Sequence, residues 1–181
     1  MKTIIKHSFL LLALPICLSI GACNSSKENS LSKIKELENK LYSDTTKVFD
    51  KATADDIIKL YIDYANSYPE EKIAPECLFK ASEVSMGLMQ SANAIKYLEK
   101  VIKEYPDYEN VPTCLFLQGF IYETQLNNNV MAQKAYSIFI EQYPNHSLTD
   151  DAEFSLKNLG KSNDEIIREF EEKLAKEKGE M

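Results

Sequence analysis

An all-α chain of antiparallel helix pairs stacked on one another is what the sequence predicts, and three observations carry that reading. Tyr-Pro recurs at 68–69, 105–106 and 143–144, at spacings of 37 and 38 residues. Ahead of each copy, large apolar residues return at helical intervals: Ile57, Tyr61, Tyr64 and Tyr68, then Ala94, Leu98, Val101 and Tyr105, then Ala132, Tyr136, Phe139 and Tyr143. Eight residues past each proline stands a small residue (Cys77, Cys114, Ala152), and ten past it a phenylalanine (Phe79, Phe116, Phe154). A period of this length marks a solenoid, in which each helix pair buries its apolar face only by stacking on its neighbours.

The elements follow in order. A leading helix near 31–43 sets Ile34, Leu37 and Leu41 on one face, and the stretch SDTTKVFDKAT then reads as a connector. Thr53, with Asp56 three residues on, is expected to cap the next helix. Helices are expected near 54–68, 75–89, 91–105, 112–126, 130–143 and 149–159. The proline of each Tyr-Pro ends its helix, because it lacks an N–H and its ring clashes with the preceding turn. Asn127-Asn128-Asn129 reads as a turn, and Gly160 suits a left-handed cap. Ser162 with Glu165 forms a capping box. It opens a last helix whose Ile166, Ile167, Phe170 and Leu174 are expected to turn inward, its charged remainder covering the end of the stack.

The N-terminus carries a different signal. Lys2 and Lys6 precede residues 8–20, SFLLLALPICLSI, an apolar run too short to span a bilayer. Ile20-Gly21-Ala22-Cys23 follows. This tetrapeptide resembles the lipobox of bacterial lipoproteins. The resemblance implies that 1–22 is a signal peptide and that Cys23 is the lipidated (palmitate-bearing) N-terminus. Asn24, rather than aspartate, after the cysteine implies the outer membrane; the periplasmic face is expected ahead of the cell surface, which the sequence leaves open. NSSKENS, after Cys23, is polar; residues 23–30 are expected to be a flexible tether reaching at most ~28 Å.

Composition narrows function further. Hydrophobic residues make up 44% and charged residues 27%, ordinary for a folded domain of this length. With Lys2 and Lys6 lost alongside a leader, 21 basic residues fall to 19 against 28 acids, and the net charge moves from −7 to about −9. No basic stripe offsets it, so nucleic acid is not an expected partner. Beyond the leader only His146 remains among the histidines, and Gly-rich phosphate loops, GxSxG and CxxC are all missing. Asp55-Asp56, Glu70-Glu71 and Asp150-Asp151 stand at expected helix starts, where the helix dipole favours acids. No enzyme activity, cofactor or metal is expected. Cys77 and Cys114 lie one repeat apart, and packed helices sit 8–10 Å from one another, beyond disulfide reach. Both read as small buried residues.

The repeated columns resemble the tetratricopeptide repeat. Leu115, Gly119 and Tyr122 fill its helix A places, and Ala132, Tyr136 and Pro144 those of helix B; the preceding copy offers Leu78, Ser82, Ala94, Leu98 and Pro106. Ser85 stands where that copy should have tyrosine, and Val101 and Phe139 where helix B should have a small residue. The long period is similar to that of envelope lipoproteins such as those of the outer-membrane barrel-assembly machine and the periplasmic coordinators of cell division. The resemblance implies a right-handed superhelical stack over 31–180, with full repeats at about 75–106 and 112–144. It also implies a protein-interaction scaffold that binds another envelope protein or peptide segment, with the membrane reached through the lipid anchor. The alternative is a lipoprotein that binds a small ligand, a glycan or a peptide. By the same resemblance Phe79, Phe116 and Phe154 face a concave groove, with Glu83, Met86, Phe120 and Glu123 nearby; the sequence equally allows the three rings to pack between adjacent A helices. So short a stack also leaves a homodimer open.

Overall fold

The computed structural model describes residues 19–42 and 50–179. Residues 1–18 of the expected leader and 43–49 of the connector lie outside the described residues. The rest forms eight helices and no strand among the described residues: α1 (Ser19–Tyr42), α2 (Lys51–Ser67), α3 (Ile73–Gly87), α4 (Ser91–Glu104), α5 (Val111–Thr124), α6 (Asn129–Gln142), α7 (Thr149–Asn158) and α8 (Asn163–Gly179). Each helix from α1 to α6 packs on the next in sequence, the all-helical stack that the repeats call for.

The Tyr-Pro dipeptides do the punctuating. Proline disfavours the helical region for the residue before it. Accordingly Tyr68, Tyr105 and Tyr143 share one non-helical conformation, with φ of −134°, −131° and −131°, and each gives its N–H to the carbonyl four residues back. The turn that follows is the same three times. Glu71, Tyr108 and His146 donate N–H to the carbonyls of Tyr68, Tyr105 and Tyr143, and Ala74, Val111 and Thr149 then donate to Glu71, Tyr108 and His146. Inside the pairs, the chain reverses through Met89 (φ 58°) and Asn127 (φ 48°), and Asn128 accepts from the N–H of Met131 as cap.

Burial follows the columns. Tyr61, Leu98 and Tyr136, at equivalent places in the repeats, are all buried, and so are Tyr64, Val101 and Phe139 one turn on. Cys77, Cys114 and Ala152 are buried against them, with Cys77 and Cys114 as free thiols. Burial pushes each thiol up to about 12, so neither is a nucleophile at neutral pH. Most of the core is one continuous cluster from Ile34 on α1 to Ile121 on α5, with a second around Tyr136 and Phe139.

Three expectations need correction. Residues 23–30 are not an irregular tether but part of α1. Polar composition does not forbid a helix, and this one is held by tertiary contact: Lys27 pairs with Glu71 at 2.8 Å, and Leu31 and Ile34 pack into the core. The cap of α2 is Asp50 rather than Thr53; Asp50 accepts from the N–H of Ala52 at 3.2 Å and from the Thr53 hydroxyl, so the helix begins at Lys51. Ser162 and Glu165 do form the expected capping box, and Gly160 does adopt φ 83°. The helix they open does not turn inward, however. Ile167 and Phe170 stay 55% and 62% exposed, and α8 touches no other helix more than marginally. The extended backbone at Leu159 (ψ 122°) carries the chain away from α7.

One position fixes how tightly a pair closes. A Cβ on Gly119 would lie 2.6 Å from the Tyr136 ring, so α5 and α6 approach this closely only because the side chain is missing. Gly119→Ala should cost about 1–3 kcal/mol by overpacking, read as a lower midpoint in urea unfolding.

Candidate interaction surface on the first helices of each pair

The first helices of successive pairs (α1, α3, α5) share one face, and two hollows open along it. One, of about 840 Å³, lies between α3 and the turn leading into α5, walled by Phe79, Glu83, Tyr105 and Tyr108. The other, of about 520 Å³, lies between α1 and α3, walled by Glu38, Asn39, Tyr42, Lys80 and Glu83. Lys80 and Glu83 belong to both, so the hollows form one discontinuous trough.

Its charge is acidic. Glu38, Glu76, Glu83, Glu104, Asp107 and Glu109 face it against Lys72 and Lys80. Lys80 is itself engaged, at 2.9 Å from Glu38 and 3.0 Å from Glu76. Burial works against its charge, yet the two carboxylates outweigh that and hold its pKa above the ordinary lysine value. Glu38 also accepts a hydrogen bond from the Tyr61 hydroxyl at 2.8 Å. Burial pushes the Glu38 carboxyl up, but the bonds from Lys80 and Tyr61 prevail and set it below the ordinary carboxylate range. Glu83 differs: desolvation raises its pKa and Lys80 only partly offsets this.

The expected groove residues separate into two groups. Phe79 and Glu83 do wall the trough, with Phe79 half-buried and edge-on to Tyr108 at 6.4 Å between ring centres. Phe120 is 38% exposed on α5. Met86 instead packs against the main core. Phe116 lies half-buried on Tyr136 and Phe139, at 5.8 and 5.9 Å. Glu123 accepts from the Tyr136 hydroxyl at 2.7 Å, tying α5 to α6. Phe154, on α7, is 59% exposed at the far end of the stack. Cys23 falls within α1. Tyr42, Lys80 and Tyr108 escaped the sequence reading, although Tyr108 occupies the repeated turn place of Glu71 and His146.

The opposite side, where α2, α4 and α6 lie, has smaller hollows of about 410 and 350 Å³ bearing Lys96, Lys100, Lys103 and Lys134. Among the described residues no cluster of three or more His, Cys, Asp or Glu side chains is placed to hold a metal, and no helix is long and apolar enough to cross a membrane.

Compared with known families, residues 76–108 and 113–146 match the tetratricopeptide repeat. These two segments are similar to tetratricopeptide repeats. The first match spans α3 and α4 and the second α5 and α6, so α3 and α5 are helices A and α4 and α6 helices B, each repeat ending in the turn after its Tyr-Pro. No curated protein matches the chain. Tetratricopeptide repeats mark a protein–protein interaction scaffold, and the acidic trough lies on their helix-A face.

The Glu38 shift makes a pH prediction. A carboxyl whose folded pKa is depressed contributes stability that is complete above its unfolded pKa and is lost as pH falls through the folded value. Glu38→Gln should therefore flatten the acid side of the stability–pH curve, measured as the urea midpoint at a series of pH values.

Proposed function

We propose that the protein is a lipid-anchored interaction scaffold of the bacterial cell envelope. Cys23 would hold it at the periplasmic face of the outer membrane, and the helix-A trough would seat an extended, basic segment of another envelope protein. The observation that carries the binding half is the trough itself: six acids against two lysines, with Phe79, Tyr42 and Tyr108 as apolar walls. Aromatic walls supply desolvated contact area, and the acids favour a partner of opposite sign. The hollows are open along the helices rather than enclosed, which favours a chain segment over a small ligand.

The anchoring half rests on Lys2, Lys6, the apolar run 8–20 and Ile20-Gly21-Ala22-Cys23. Two or three acyl chains on Cys23 would suffice for stable attachment. With the part of α1 from Cys23 to Tyr42 helical, the repeats would sit on a short helical stem. Membership of an outer-membrane assembly or cell-wall coordination complex is the form that the resemblance to envelope lipoproteins supports.

One experiment in cells addresses both halves. Metabolic labelling with an alkyne fatty acid should mark the full chain and fail with Cys23→Ser. A photo-crosslinking residue at Tyr108 should capture an envelope protein, one at Lys96 on the opposite face should not, and Glu83→Lys should abolish capture at Tyr108. Labelling that persists in Cys23→Ser contradicts the anchor, and equal capture from both faces contradicts the trough.

A further inference from the structure

Helix α8 repeats the helix-B spacing without helix-B surroundings. Tyr61-Tyr64-Tyr68, Leu98-Val101-Tyr105 and Tyr136-Phe139-Tyr143 share intervals of three and then four residues, and Ile167-Phe170-Leu174 has the same intervals. In the first three sets the leading two residues are buried. In α8 all three are exposed.

The preceding helix shows the complement. Phe154 stands in the column of Phe79 and Phe116, and Phe116 is covered by Tyr136 and Phe139 of its own helix B. Phe154 has no such cover. The stack therefore ends in a vacant helix-B place on α7, beside an unplaced helix that carries the helix-B seam.

The link between them does not fold α8 back. In the two complete repeats, backbone bonds from Gln90 to Ser85 (2.8 Å) and from Asn128 to Tyr122 (2.7 Å) hold the loop onto the end of helix A. After α7 a left-handed residue, Gly160, stands in the link as Met89 and Asn127 do in the others, but the chain leaves through extended Leu159, with a local bond from Lys161 to Asn158. Helix α7 is also short, 10 residues against 15 and 14 in α3 and α5.

We infer that the vacant place on α7 receives α8 of a second copy, reciprocally, so that two chains close each other's open ends. Docked antiparallel, as helices A and B are within each repeat, α8 brings Lys173, at the flank of its seam, towards Asp150 and Asp151 at the start of α7. Its own Asp164 then meets Lys157 near the end of α7. Both ends of the contact are thus complementary in charge, and both helix dipoles oppose favourably. The exchange obeys a two-fold axis, which closes at two copies and leaves no open end for a third. Ile167, Phe170, Leu174 and Phe154 leave water in each copy. The dimer does not depend on the lipid anchor or on the trough.

The test uses full-length chains with two different tags, one carrying Phe154→Cys and the other Phe170→Cys, co-expressed and treated with a short bismaleimide. A crosslinked species bearing both tags is expected, and the detergent-solubilised unmodified chain should sediment at the mass of two copies. Phe170→Glu should sediment as one copy with unchanged helix content. Protection of Cys77 and Cys114 from alkylation reports that each variant is folded. A chain carrying both cysteines that links only to itself would overturn the inference in favour of closure within one copy. Absence of any link, or a one-copy mass for the unmodified chain, overturns it as well.

Discussion

Tyr136 fills the space between the helices of its repeat so fully that the residue facing it has no side chain at all. Gly119 is that residue, and Glu123, one turn further along α5, takes the tyrosine's hydroxyl. The ring, the missing Cβ and the carboxylate form one unit. It lets two backbones close while leaving no buried polar atom unpaired. At the α1–α2 step Tyr61 is answered by Glu38 in the same way. The middle repeat solves the problem with other atoms. There Leu98 takes the tyrosine's place, Ser82 that of the glycine and Met86 that of the glutamate, so the layer is apolar where its neighbours are hydrogen-bonded.

This constraint reaches the candidate binding face. Because Glu38 holds Tyr61 from α1, it also lies where Lys80 of α3 can reach it, and Lys80 is then shared with Glu76. A contact that closes one helix pair therefore shapes the wall of the trough and occupies one of its two lysines. The acids that remain without such ties, Glu83 foremost, give the face its sign. Function on this reading is a by-product of stacking: the trough lies where neighbouring helices A diverge, and its walls are residues that packing leaves half-covered.

How much of this was legible in sequence differs by level. The ends of the repeats and the turns are plain in the sequence, because Tyr-Pro, Asn127-Asn128-Asn129, Gly160 and the Ser162–Glu165 box act locally, through backbone geometry within a few residues, whereas the starts of α1 and α2 are not. The low hydrophobicity of residues 23–30 suggests irregular backbone, yet a distant partner, Glu71, and the packing of Leu31 and Ile34 support a helix there. Ile167, Phe170 and Leu174 mislead differently. Their spacing correctly declares an apolar seam, but a spacing does not say which surface meets it. The site was legible only in part for a related reason. Column position puts Phe79 and Phe116 in the same class, yet Phe116 has two rings of its own helix B beneath it while Phe79 meets Tyr108 from a turn. Which of them is left to a partner is decided by the neighbouring repeat.

The central claim is that each layer is a matched set, and transplanting one set onto another repeat tests it most directly. Leu98→Tyr alone should be markedly destabilising, since Ser82 leaves too little room for the ring and Met86 offers its hydroxyl no acceptor. Adding Ser82→Gly and Met86→Glu supplies the surroundings of Tyr136, and the urea midpoint of the triple variant should return close to that of the unmodified chain. A triple variant no more stable than Leu98→Tyr by itself would contradict the account.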